Sequence, residues 1–214
     1  MDVTIREAAE ADAPFLAWVM QTAARSHRPL CFWDLAFPGP DDQRLDYIAA
    51  IARAEPESMA HWGGFLVAEH DGKPVAGLSA YDSAHKGMDA FIGAIATTIH
   101  DRGWSPAHQD LLAGRIAPAG SVMPDSPPGV WVIEWVATKP EARGKGVARS
   151  LLEGILERGR SAGYTQSQIS YLIGNTPAQT AYERIGFETV EEKRDAGFEK
   201  IFGSPGVARM VRDL

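Results

Sequence analysis

The chain has 214 residues, 45% of them hydrophobic and 23% charged, with a formal net charge of −7 at neutral pH. That length and apolar content suit a single domain spanning residues 1–214, and the acidic balance argues against nucleic acid or an anionic membrane as partner, so an anionic ligand must be captured locally. The single cysteine, Cys31, excludes an internal disulfide and offers no cysteine cluster for zinc; a reducing cytoplasm and the absence of a metal are the expectations.

The N-terminal stretch MDVTIREAAEADAPF is acidic and interrupted, unlike a signal peptide, and no apolar run reaches bilayer length. VTIREA alternates as a first strand. A helix is expected next, with Phe15, Leu16, Val19 and Met20 on one face, Asp12 in the N-cap position and Pro14 in the first turn. HRPLCFWDLAFPGPDD, rich in proline and aromatics, reads as an ordered loop, and QRLDYIAAIARAEPES returns to helical spacing. In GGFLVAEHDGKPVAGLSAYD two apolar runs flank Asp71-Gly72, the signal of a type I′ hairpin. Residues 83–128 read as a helical insertion shaping a pocket: KGMDAFIGAIATTIHDRG and SPAHQDLLAGRIA are helical segments, and GSVMPDSPPG is a loop.

GVWVIEWVAT is apolar on both alternating faces except at Glu134, as expected of a central strand. A glycine-rich turn follows, then a helix with Val147, Leu151, Leu152, Ile155 and Leu156 on one stripe, closed by Gly163. QSQISYLIG is a strand and NTPAQTAYERIGF a helix, with Thr176 as cap, Pro177 in the first turn and Gly186 past its end; FETVEEKR and GVARMVRDL finish as strands. The order is mixed α/β.

The turn between strand and helix carries the chemistry. A helix start presents unpaired N–H groups and the positive end of a dipole, Gly144 and Gly146 allow close backbone approach, and Arg143, Lys145 and Arg149 add charge. Cations at that end oppose the dipole, so a phosphorylated ligand explains them better than a solvated helix start. The third glycine of a dinucleotide fold and the Gly-Lys-Ser/Thr of a P-loop are both missing.

Arg143-x-x-Gly146-x-Ala148 instead resembles the Arg/Gln-x-x-Gly-x-Gly/Ala signature of the GNAT superfamily of acyl-CoA-dependent N-acyltransferases. NTPAQTAYERIGF is similar to that family's second signature at Asn175, Ala178, Tyr182 and Gly186-Phe187, and the early strand and helix, the hairpin and the final strand fit its remaining parts. The resemblance implies a mixed, mostly antiparallel twisted sheet flanked by helices, with the 83–128 insertion between the third and fourth strands. It also implies acetyl-CoA as donor. The backbone of Val136, Ala137 and Thr138 would pair with the pantetheine arm, and the amides of Gly144, Lys145, Gly146, Val147, Ala148 and Arg149, beside Arg143, would hold the pyrophosphate. Asn175 would bond the arm from the other side, and Tyr182 would stand at the thioester sulfur. Members are often homodimers, though no interface is identifiable in the sequence.

Acyl transfer to an amine requires a neutral nucleophile and a proton for the departing thiolate. Glu134, the lone ionisable group in an apolar strand, is the expected base: alternation would put it on one face with Val136, and burial would raise its pKa. A structural ion pair is the competing role. Ser170 and Tyr171 stand where some relatives carry an acid, and His27, His85, His100 and His108 are alternatives near the variable loops. Tyr182 is the expected general acid, against a core aromatic. Phe32, Trp33, Phe37 and Trp104, with Asp34, Asp41, Asp42 or Asp82, would suit an acceptor amine with apolar bulk. The leading function is acetylation of a small-molecule primary amine by direct attack in a ternary complex. A protein N-terminal or lysine acetyltransferase and a non-catalytic acyl-CoA-binding module are the alternatives.

Overall fold

A computed structural model describes residues 1–214. Seven strands form one sheet: β1 (Thr4–Glu7), β2 (Phe65–His70), β3 (Lys73–Asp82), β4 (Trp131–Thr138), β5 (Gln166–Leu172), β6 (Glu188–Arg194) and β7 (Gly206–Asp213), in the spatial order β1-β2-β3-β4-β5-β7-β6. All neighbours are antiparallel except β4 and β5, which run parallel only from Trp131–Ile133 against Ser167–Ile169 and then diverge. The mostly antiparallel sheet expected from the sequence is present. In the β2–β3 turn, Asp71 and Gly72 both take positive φ, 50° and 68°, the conformation a type I′ hairpin requires.

Each face of the sheet carries its own core. On one side α1 (Ala13–Arg25), α2 (Phe32–Ala36), α3 (Asp41–Ile51) and α5 (Met88–Asp101) pack around Trp33, Phe65 and Trp135. On the other, α7 (Val147–Ser161) and α8 (Thr176–Glu183) cover Leu78, Ile133 and Met210. The stripe of α7 is buried as its spacing requires, Leu151, Leu152, Ile155 and Leu156 at 1% exposure or less, each stabilising by about 2 kcal/mol. Between β3 and β4 lie α4 (Ser83–Lys86), α5 and α6 (Pro106–Gly120), and α9 (Ala196–Phe202) joins β6 to β7. No helix is long and apolar enough to cross a membrane.

Local chemistry departs from expectation in four places. Asp12 occupies the N-cap position of α1 without capping it, because its carboxylate is drawn back to Arg6 at 2.7 Å and to the Ala9 amide. The aromatic stretch read as a loop folds Phe32–Ala36 into a short helix, started by Asp34, which accepts from the Cys31 amide at 2.9 Å. Residues 196–202, assigned no element from sequence, form α9, capped by Asp195 accepting from the Phe198 amide at 2.7 Å and closed by Gly203 with φ 73°. Alternation along β4 is interrupted by a bulge opposite Leu78, with Trp135 at φ 57°.

Candidate active site

The divergence of β4 from β5 opens a cleft of about 410 Å³ through the sheet. Past Ile133 the β5-facing edge of β4 has no strand partner, so its backbone groups stand free along the cleft wall. Trp135 is a bulky residue in a left-handed conformation that costs on the order of 1–3 kcal/mol. It is held there by its indole, which donates to the Met59 carbonyl at 3.2 Å, and by Phe32 and Trp33 with ring centroids at 6.1 and 6.0 Å. Because the bulge separates Glu134 from Val136, simple alternation does not put them on one face: Trp135 and Ala137 join the α1-side core, and Val136 packs toward α7. Both residues nonetheless border the cleft.

At one mouth of the cleft is the start of α7. Gly144 and Gly146 have φ of 71° and 80°, with open space where a Cβ would stand, so backbone conformation as much as room calls for glycine here. None of the amides from Gly144 to Arg149 has an acceptor within the protein, and no side chain caps the helix. Six successive free donors at a helix N-terminus make an anion-binding concavity. Arg143 curls over the end of β4, its Nε donating to the Thr138 carbonyl at 3.1 Å.

Of the residues singled out in the sequence, Glu134, Val136, Ala137, Thr138, Arg143, Ala148, Asn175 and Tyr182 all line the cleft. Gly144, Lys145 and Gly146 form the exposed turn at its mouth, and Val147 turns its side chain into the α7 core. Arg149 points elsewhere: it pairs with Glu153 at 2.8 Å beside a separate small cavity, so only its amide faces the turn's concavity. Asn175, and not Thr176, caps α8. Its Oδ1 accepts from the Ala178 amide at 3.2 Å and its Nδ2 donates to Ser26 Oγ at 2.6 Å, fixing the α8 start against the end of α1.

Glu134 and Tyr182 supply the titratable chemistry. Burial pushes the Glu134 carboxyl up to about 7, opposed only by the neighbouring Trp135 amide. The side chain forms no ion pair, which removes the structural role weighed against it. Burial, and then the Glu134 charge, raise the Tyr182 phenol, whose hydroxyl has no hydrogen-bond partner in the protein. Tyr81 on β3 feels the same carboxylate. A carboxyl raised towards neutrality and a phenol raised above its ordinary range thus border the same cleft, an arrangement able to exchange protons near pH 7.

The other candidates lie outside the cleft or do other work. His85 sits on Asp82 at 2.9 Å, His100 beside Asp101, His108 against the Trp104 ring, and His27 on Ser26; none lines the cleft. Ser170 and Tyr171 do line it. Trp33 and Phe37 are core, Trp104 donates to the Tyr47 hydroxyl at 3.0 Å, and of that aromatic set only Phe32 reaches the cleft. Asp34 and Asp41 are held by Arg25 and Arg44, Asp42 is exposed, and Asp82 caps α4. Residues not foreseen complete the wall opposite α7 and α8: Leu30, Val122, Met123, Phe198 and Phe202. The Asp195 cap, the Phe198/Phe202 pair at i, i+4 and Gly203 were the sequence signal for the last two.

The family model for the acetyltransferase (GNAT) family matches residues 29–187. Among solved structures, an acetyltransferase superposes with a TM-score of 0.71 at 17% identity, over 98% of each chain. The polyamine N-acetyltransferase of Drosophila melanogaster, which forms N-acetylagmatine, superposes at 0.57 with 16% identity over the whole of both chains. YncA of Salmonella typhimurium, solved with its cofactor acetyl-CoA, superposes at 0.54 with 16% identity, over 100% of this chain and 95% of its own. At such identities these likenesses establish the fold. No curated protein matches the sequence.

Proposed function

Because the chain belongs to the GNAT family of acetyltransferases, we propose that it moves the acetyl group of acetyl-CoA directly to the primary amine of a small molecule within a ternary complex. The observation that carries this reading is the continuity of one cleft, from the free amides before α7 to Glu134 and Tyr182 at the divergence of β4 and β5. The turn at 143–149 holds the pyrophosphate, the unpaired edge of β4 from Val136 to Thr138 pairs with the pantetheine arm as an added strand would, and Asn175 borders the arm from α8.

In the chemical step the amine nitrogen attacks the thioester carbon, the carbon–sulfur bond breaks, and coenzyme A leaves as its thiol. An alkyl ammonium of pKa about 10.4 costs roughly 4.6 kcal/mol to present neutral at pH 7. Glu134 takes that proton, directly or through one water, and its raised pKa matches it to the task near neutrality. Tyr182, kept protonated by burial, delivers its proton to the sulfur, and the second proton shed by the nitrogen as the amide forms restores the phenol. The walls raised by α2, the end of α6 and α9 favour a small acceptor over a protein chain.

Thiol release from acetyl-CoA, measured across a panel of amines, tests the reading. Glu134→Gln should lower kcat by about 10²–10⁴-fold and abolish the rise of rate through pH 7, with the Kd for acetyl-CoA little changed. Wild-type rates and an unchanged pH profile in that variant would remove Glu134 from the mechanism. Tight acetyl-CoA binding without thiol release for any amine would leave only a binding module.

A further inference from the structure

The wall of the cleft opposite α7 and α8 has a chemistry of its own. Leu30 and Phe32 come from the α1–α2 segment, Val122 and Met123 from the turn after α6, and Phe198 and Phe202 from α9. Val122, Phe198 and Phe202 form a small core separate from the two on the faces of the sheet, with the phenyl centroids 4.6 Å apart. Phe32 is fixed from behind by Trp33 at 4.3 Å and Phe91 at 6.2 Å. The turn after α6 is tied down as well: Gln168 donates to Ser126 Oγ at 3.0 Å, and Lys193 donates to the Met123 carbonyl at 3.2 Å while bridging Asp125. Phe32, Phe198 and Phe202 are thus packed from behind, while Leu30 and Met123 stand exposed at the rim.

Charge is as informative. Of the 32 residues lining the cleft, 23 are hydrophobic, and the only charged ones are Glu134 and Arg143. Near the apolar wall Asp34 is engaged by Arg25 and Arg44, Asp125 by Lys193, Glu191 by Arg209 and Asp195 by the first turn of α9, while Glu199 on α9 and Asp110 on α6 do not line the cleft. A diamine or guanidino-amine placing one nitrogen at Glu134 would bury its second cation with no anion to meet it.

We propose that the acceptor is a monoamine carrying an aromatic or branched aliphatic body, seated on Leu30, Phe32, Met123, Phe198 and Phe202, beneath which Val122 packs, with its single nitrogen at Glu134. This rests on the amine-acetylation reading above and narrows it to a substrate class. The apolar-amine expectation from the sequence is retained on different residues: of the four aromatics named there only Phe32 takes part, and none of the four aspartates does.

The test compares 2-phenylethylamine and 3-methylbutylamine with agmatine and spermidine as acceptors, with acetyl-CoA and hexanoyl-CoA as donors. The apolar monoamines should exceed both polycations at least about tenfold in kcat/KM with acetyl-CoA. Met123→Glu, at a position already 38% exposed and so tolerant of charge, should raise KM for 2-phenylethylamine about tenfold, narrow or reverse the preference over agmatine, and leave the Kd for acetyl-CoA unchanged. Phe198→Ala should raise the same KM without favouring agmatine. Equal or better turnover of agmatine or spermidine by the wild type would overturn the proposal. So would faster turnover of hexanoyl-CoA than acetyl-CoA with the Met123→Glu effect falling on donor KM, since the wall would then hold the acyl chain. If no amine releases thiol, the acetylation reading itself has failed. The wall is then judged by calorimetric titration of CoA-saturated protein: tighter binding of 2-phenylethylamine than agmatine upholds the apolar site, and equal or reversed affinity refutes it.

Discussion

With its carboxyl pushed up to about 7, folded Glu134 retains a proton that the unfolded chain, near the ordinary 4.5, has already released. Below about pH 4.5 both states are protonated and the residue has no effect on stability. Between about pH 4.5 and 7 the unfolded chain ionises this carboxyl while the fold keeps it protonated, so stability falls by about 3 kcal/mol relative to a neutral residue and is level above pH 7. Glu134→Gln should therefore match the wild type in urea unfolding near pH 4.5 and be the more stable protein at pH 8, while losing turnover. A variant destabilised at pH 8 would mean that the carboxylate has an ionic partner in the fold. Tyr182→Phe should lower kcat about 10–100-fold, with little change in acetyl-CoA affinity, because it removes a proton donor and no packing volume. That both residues border the cleft was legible in the sequence, one as the single charge in an apolar strand and the other through the second signature. The capping role of Asn175 was not, since Asn and Thr both cap well and only the tertiary contact to Ser26 decides between them.

At the scale of elements, the turn before α7 should separate two effects. Gly146→Asn keeps a residue that tolerates left-handed backbone, whereas Gly146→Val does not; the valine variant should lose roughly 1–2 kcal/mol more stability. Both add side-chain bulk beside the free amides, so both should weaken acetyl-CoA binding in calorimetry, and normal affinity in both would dissociate the turn from the ligand. Inside α7, a Cβ on Gly159 would meet the Trp131 ring at 2.6 Å, and that indole donates to the Ile155 carbonyl. Gly159→Ala should thus destabilise by about 1–3 kcal/mol in urea unfolding despite alanine's better helix propensity. Elements with strong periodicity or punctuation, such as α7, α8 and the β2–β3 hairpin, could be read directly from sequence. The β4 bulge could not, because its cause is tertiary: the indole of Trp135 is drawn to the Met59 carbonyl, and alternation alone does not encode that contact. Residues 196–202 carry little periodic signal in the sequence because a seven-residue helix offers fewer than two turns of pattern.

Across the whole molecule, two cores on opposite faces hold β4 and β5 together at Trp131–Ile133 and let them part beyond. The fold class follows from sequence, and the residues proposed for the donor side were nameable there, because their motifs are local. The acceptor side does not, because it is assembled from residues about 30, 120 and 200, whose proximity depends on the order β5-β7-β6 and on an insertion packing over it. The most direct measurement compares the affinities of acetyl-CoA and S-acetylpantetheine, which lacks the diphosphate, for the wild type and for Gly146→Val. The wild type should favour acetyl-CoA by at least about tenfold and the variant should lose most of that preference. Equal wild-type affinities for the two thioesters, or a preference undiminished in the variant, would contradict the assignment of the α7 amides to the diphosphate.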